Sequence, residues 1–373
     1  MLLPDRIFSS KLIYTLLRLP NQRYKAYSMS ILYFSIGSLI FLFIIADIIK
    51  TTFSLNGGGK LTNLVSRGVW NTFFVASAKK GNSKLLEYAG PAVLVSILVV
   101  WVIGLWSGLF LMLLSDPSSV VNSITKENTG AWEKLYYAGF TLSTLGVGDY
   151  IASNNFWRVI TDIAAYSGLV FITTSITYFV PVLSAVGLQS KLSLYISGMG
   201  KSPQQVLEKA WNGKDFSSFF DTVSDLCQML MHHTMNHHSY PVIHYFHNNQ
   251  LNLAIAPAFV KLDEVHQLLS NALKDDVTLD NLKMNMLQTA LDQHLEMLRK
   301  GYLKEGSPKE QVPALTEQVS KLGVAFRKPE EINHRSDQAL AERRKLLTVM
   351  LEKDGWTWDA VHQSNGYSRH QQF

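Results

Sequence analysis

The sequence of 373 residues has a single cysteine, Cys227. An internal disulfide is therefore excluded, and so is any cysteine-based metal motif. A lone cysteine of this kind fits the role of a small buried hydrophobe. Histidine is missing from residues 1–187, and all 11 histidines lie in 188–373. Charged residues make up only 17% of the chain and are unevenly spread. Residues 188–373 nearly balance, with 20 Lys/Arg against 21 Asp/Glu, whereas 1–187 has 14 against 8 and supplies the net charge of +5. No basic stripe marks the polar half, so nucleic acid is not an expected partner. The chain also lacks a nucleophile set beside a base, or paired carboxylates in a recognisable setting, so an enzyme is not expected.

Three long apolar runs are present. The first is Ile31 to Ile49, broken only by Asp47; the second is Pro91 to Leu114, with no charge; the third runs from about Val159 to Val186, with Asp162 near its start. A helix needs about 20 apolar residues to cross the hydrocarbon of a bilayer. All three meet that length. The first run starts too far from the N-terminus, is too long, and lacks a small-residue cleavage site, so it reads as an anchor and not a signal peptide. A multi-pass protein of the cell membrane is expected, with membrane lipid around it. The absence of disulfide use and of an organelle signal is compatible with a bacterial inner membrane.

The stretch between the second and third runs is the most informative. It reads AWEKLYYAGFTLSTLGVGDYIASNNFW from Ala131 to Trp157. A helix-length segment, Ala131 to about Ser143, is followed directly by Thr144-Leu145-Gly146-Val147-Gly148-Asp149. A dehydrated potassium ion needs oxygens at fixed spacing, and stacked backbone carbonyls from four extended strands around one axis can supply them. Aiming successive carbonyls one way requires backbone angles at alternate positions that glycine adopts freely, which accounts for Gly146 and Gly148. The Thr144 hydroxyl can add a further ring of oxygens. The preceding helix would point its negative C-terminal end toward the ion. Irregular backbone at this depth is tolerable where it lines water.

This segment resembles the signature of the potassium channel superfamily, T-x-x-T-x-G-Y-G-D, of the single pore-loop type. Thr141, Thr144, Gly146, Gly148 and Asp149 match it. The resemblance implies K+ coordination by Thr144, Leu145, Gly146 and Val147, and outer-mouth bracing by Asp149. It also implies support behind the filter from Thr141, Tyr136 and Tyr137. The departure is Val147, where the family commonly has Tyr or Phe, and it opens a weakly selective cation channel as an alternative. A non-conducting scaffold or sensor with a pore-like fold is a second alternative. Gly168 stands 20 residues after Gly148, where many channels of the superfamily carry a hinge glycine. Gly168, Ile172, Ile176 and Val180 share one helical face, which suits either a pore-lining inner gate or plain helix packing, and Pro181 can bend the span. The strings TLSTLGVGDY and TYFVPVLSAV are also similar to the second pore segment of two-pore-domain potassium channels. One pore segment per chain implies a homotetramer.

The expected fold class is an α-helical membrane protein. It has a two-span plus pore-loop potassium channel pore, an extra N-terminal span and a mostly helical cytoplasmic C-terminal domain. The expected division is 1–50 (tail and first span), 51–90 (cytoplasmic interfacial segment), 91–187 (pore domain) and 188–373 (cytoplasmic helical domain). In 51–90, Leu64, Val65, Val69, Phe73 and Phe74 fall on one helical face, which suits a helix lying on the inner membrane surface or an ordinary packed helix. Six Lys/Arg in 50–90 against two in 115–157 favour the inside for that segment. The first span then starts outside, against the preference of the five Lys/Arg in 1–28.

In the polar half, Ser202-Pro203-Gln204-Gln205 reads as a helix start. The preceding GMGKS is not a P-loop, because the required earlier glycine is Tyr195. A dinucleotide fold would need strands that the remainder lacks. Six histidines crowd 232–247, and His233 and His237 stand one helical turn apart, a candidate metal pair or pH sensor; packed or surface histidines are the alternative. VHQLLSNALK and MLQTALDQHLEMLRK suggest a helical bundle. The polar tail after about Gly355 is expected to be mobile. No cofactor is expected, K+ is the permeant ion, and the sequence names no regulatory ligand.

Overall fold

The computed structural model describes residues 8–54, 58–303, 308, 326–327 and 337–362. Its order is α1 (Phe8–Phe53), α2 (Lys60–Ala76), α3 (Ala89–Leu114), β1 (Val120–Asn122), α4 (Ala131–Leu142), β2 (Tyr150–Ala152) and α5 (Asn155–Met199). There follow α6 (Pro203–Ala210), α7 (Ser217–Ser239), α8 (Ile255–Ala272), α9 (Asn281–Gly301), α10 (Asp337–Lys353) and α11 (Trp358–His362). Three stretches are long and apolar enough to cross a membrane: Met29–Phe53, Lys84–Leu114 and Asn155–Met199. The protein is therefore a mostly helical membrane protein with a helical C-terminal region. The third helix runs on well past the apolar run, as one helix to Met199, carrying the LYISGM string in helix and Pro181 within it.

The chain divides into two compact units, 1–53 with 97–178, and 54–96 with 179–373. In the first, α1 packs on α3 through small residues. A side chain at Gly37 would meet the Gly108 carbonyl and Met112, and one at Gly104 would meet Ile44 at 2.6 Å. Close backbone approach of this kind substitutes for hydrophobic driving force between helices in lipid. The buried Asp47 accepts from the Trp101 indole N–H at 3.0 Å, which gives the lone acid of the first run a partner. Phe34 meets Phe156 and Trp157. β1 and β2 pair antiparallel, Val120 with Ala152 through Asn122 with Tyr150, closing the loop that carries α4.

In the second unit, α8 is buried along Ala256–Leu269, polar residues included. Burying charges requires partners. Arg343 binds Asp263 and Asp292, and Arg344 binds Glu264. The Lys261 ammonium donates to the Gly200 carbonyl at 3.1 Å, at the end of α5. Around α8 lie Leu192, Ile196, Phe216, Phe219, Leu230 and Leu291, each contributing about 1.5–3 kcal/mol of burial. The Ser202 side chain accepts from the Gln205 N–H at 3.2 Å, capping α6 where the sequence placed a helix start.

Two expectations change. The face of α2 that is buried is Thr62, Ser66 and Trp70, and Trp70 stacks on Phe74 and meets Tyr245 and His247. Leu64, from the predicted apolar face, is exposed instead. One large aromatic outweighs several aliphatics in choosing the packed face. The expectation of a mobile tail after Gly355 is also corrected. Trp356, Trp358, Ala360 and Val361 are buried in the core. The carbonyl of Gly355, a residue at φ +75°, accepts from the Gly81 N–H at 2.8 Å. Two tryptophans in a polar-looking tail carry enough apolar area to hold it down. Residues 363–373 lie outside the described residues.

Candidate ion-conduction pore

α4 is fixed from several sides. Lys134, 2% exposed, donates to the carbonyls of Leu113, Asp116 and Pro117 at 3.1, 2.6 and 3.2 Å. These are carbonyls at and just beyond the C-terminal end of α3, where unsatisfied acceptors and the helix dipole both favour a cation. Asp116 in turn accepts from the Trp157 indole N–H at 2.7 Å. Trp106 donates to the Leu135 carbonyl at 2.8 Å, and Gly139 lies against its ring. Tyr137, buried, bonds Thr161 Oγ1 at 2.9 Å. Thr141 is also buried. Tyr136 is more exposed and meets Phe140 and Tyr150 edge-on.

The end of α4 leads directly into the filter segment. Thr144 N–H donates to Thr141 O at 3.1 Å, and Leu145 N–H to Phe140 O at 2.9 Å. This pair of bonds is the Schellman arrangement, with Thr144 at the position that normally holds glycine. Thr144 accordingly has φ +56°, and positive φ recurs at Gly146 (+58°) and Gly148 (+84°). The alternation is the backbone pattern a carbonyl-lined filter needs. A β-branched residue in that region is an outlier, and an outlier held by surrounding structure marks a site where the side chain is wanted. Residues 143–149 are all exposed, with Leu145 at 68% and Val147 at 50%. No heavy atom lies within 4 Å of where a Cβ would stand on Gly146 or Gly148. Asp149 accepts from its neighbour, the Tyr150 N–H, at 3.0 Å, and its carbonyl accepts from Ser123 N–H.

On α5, Gly168 is a packing glycine. A side chain there would overlap the Leu142 carbonyl at the end of α4. Ile172, Ile176 and Val180 are all exposed. Pro181 leaves α5 an uninterrupted helix.

The predicted histidine pair lies in the second unit. His233 and His237 are both buried, with ring centroids 5.9 Å apart. His294 from α9 stands 5.1 Å from His233, and His244 bonds His237 at 3.3 Å. Burial, and then the His237 charge, push His233 down to about 3, and burial pushes His237 down to about 4. His244 and His294 are also held well below the usual range, first by burial. No group of three or more His, Cys, Asp or Glu among the described residues is arranged to hold a metal. The cluster is a packed, uncharged one. Cys227 is buried, and its thiol is pushed up to about 11 by burial.

Residues 96–185 match the family described as Ion channel. This segment is similar to an ion-channel domain. The match spans α3 from its eighth residue, the α4 segment, the filter segment and most of α5. The chain is also 27% identical over 350 residues to the uncharacterized membrane protein YdjJ of Bacillus subtilis (strain 168), covering 90% of this chain and 98% of that one. No solved structure matches. The matched segment contains Lys134, Asp116, Trp157 and Trp106, which sequence reasoning passed over. The signal for Lys134 was a lysine, next to Glu133, at the start of a moderately apolar helical segment.

Proposed function

We propose that the protein is a potassium-selective channel in which four copies surround one axis and Thr144, Leu145, Gly146 and Val147 present their oxygens to K+. The observation that carries this reading is the alternation of positive φ at Thr144, Gly146 and Gly148, directly after a capped α4. The exposure of seven consecutive residues, 143–149, in a single chain supports oligomerisation, because bare irregular backbone at membrane depth needs protein or pore water around it. Ile172, Ile176 and Val180 line the inner pore in this reading, while Gly168, packed on the Leu142 carbonyl, lets α5 approach the end of α4. The half-exposed Val147 favours one second reading, a weakly selective cation channel. Residues 188–373 are cytoplasmic and bias opening, and the membrane is a bacterial inner membrane. The test is flux from liposomes loaded with K+ or Na+. K+-preferring flux that is lost in Gly146→Ala supports the proposal. Equal flux of both ions points to the second reading, and no flux from intact oligomers overturns both.

A further inference from the structure

The second unit holds a cavity of about 980 Å³ walled by α2, α7, the turn at Pro241–Tyr245, α9 and the end of α10. That volume lies in the range of small-molecule sites, about 300–1,000 Å³. Its chemistry is specific. Arg67, Lys300 and Lys353 line it against one carboxylate, Glu296, which pairs with Lys300 at 3.4 Å. Among the described ion pairs neither Arg67 nor Lys353 has an acidic partner. The Lys353 ammonium instead lies 4.8 Å from the Tyr302 ring centroid and donates to the Tyr302 carbonyl. Burial and, after it, the Arg67 charge push Lys353 below its usual range. Arg67 reaches the Tyr245 hydroxyl. The two cations are thus held in place by aromatic residues and left without an anion.

The remaining walls are aromatic or amide. Trp70, Phe74, Tyr245 and Tyr302 supply rings to the wall, and Asn71 and Gln293 supply amide donors and acceptors. His237, also in the lining, adds no positive charge, because burial holds it uncharged. His244 also lines the cavity, and its Nε2 is buried without a hydrogen-bond partner.

We infer that this cavity binds a nucleoside phosphate, with the phosphate between Arg67 and Lys353 and the base against the aromatic wall. An anion there relieves the repulsion between the two cations and forms charge-assisted hydrogen bonds to both. A flat base gains stacking and cation–π contact. The site lies outside the segment similar to an ion channel, and its occupancy is independent of whether the pore conducts.

The experiment uses the full chain in detergent and reads thermal shift and calorimetric binding, with AMP, GMP, CMP and UMP as probes. Adenosine and inorganic phosphate supply the ring and the anion separately. A saturable shift with at least one nucleotide, larger than with either half, is expected. Arg67→Gln with Lys353→Gln, and separately Asn71→Asp, weaken binding by about tenfold or more. Asn71 is exposed, so Asn71→Asp keeps the unliganded melting temperature and separates lost binding from lost folding. No shift with any of the four nucleotides overturns the inference. So does a shift that inorganic phosphate reproduces in full, or one that both sets of substitutions leave unchanged. A shift produced only by phosphatidylglycerol nanodiscs, and lost in the same variants, assigns the site to a lipid headgroup and also overturns it.

Discussion

Acidification tests the packing of the four clustered histidines, His233, His237, His244 and His294. The perturbation is a change from pH 7 to pH 5 on the full chain. In the fold His233 and His237 titrate at about 3 and 4, and His244 and His294 are held well below their usual value of 6.5. Unfolded, each takes up a proton near 6.5. The folded pKa is depressed, so the stability associated with each group is present above 6.5 and is lost as pH falls toward the folded value. His233 and His237 each lose about 1.4 kcal/mol per pH unit below 6.5, or about 2 kcal/mol by pH 5. These two together lose about 4 kcal/mol, and His244 and His294, lowered by the same burial, add to the loss. Asp354 opposes them. Burial raises its carboxyl to about 7, so between 7 and its free value of 3.8 the fold holds the proton and gains stability as pH falls, about 3 kcal/mol by pH 5. His247 and His266, lowered by burial, act with the cluster, and Glu264, raised by burial, acts with Asp354. The loss from His233 and His237 exceeds the gain from Asp354, and His244 and His294 widen the margin, a loss that matters against the stability of an ordinary domain, about 5–15 kcal/mol. The assay is the melting temperature by tryptophan fluorescence at half-unit steps of pH. A steep fall below pH 6.5 is expected, and His233→Leu reduces its slope by about one proton. A flat melting temperature from pH 7 to pH 5 refutes the reasoning.

Other outcomes follow from the pore and the core. Thr144→Gly relieves a left-handed threonine at the helix cap, so it raises thermal stability by about 1 kcal/mol while lowering K+ flux, because the hydroxyl ring is gone; a destabilised variant contradicts the capping argument. Gly168→Ala forces a methyl onto the Leu142 carbonyl and costs about 1–3 kcal/mol, read as loss of intact oligomer in detergent together with loss of flux. Lys134→Met removes a donor from three carbonyls at and beyond the end of α3, of which those of Leu113 and Asp116 keep Ser119 as a donor, and destabilises by about 1–3 kcal/mol, measured by thermal melting. Arg344→Met strands the buried Glu264 and costs about 3–5 kcal/mol, seen in the same assay.

The order of span, short helix, glycine string and span was legible because its signals are local. A helix-length segment, a T-x-G-x-G-D string and two flanking apolar runs sit within about one hundred residues of sequence, and each has a direct physical requirement. The anchors were not legible. Lys134 meets α3 some twenty residues earlier in sequence, and Trp157 meets Asp116 across 41 residues, so neither partner is visible in a local window. His294 joins the histidine cluster from another helix for the same reason. The α2 face was misread because period-based reading weighs aliphatics equally and does not single out Trp70. The end of the chain was misread because average polarity hid Trp356 and Trp358. The extension of α5 to Met199 is visible only after the fact, in the absence of any helix breaker between Pro181 and Gly200 beyond tolerated glycines.

The most direct test of the central claim is the reversal potential of purified protein in a planar bilayer, with K+ on one side and Na+ at equal concentration on the other. The account predicts a reversal far from zero, of the sign that marks K+ as the permeant ion, and its loss in Gly146→Ala. A conducting pore that reverses near zero would contradict potassium selectivity and leave a weakly selective cation channel in its place.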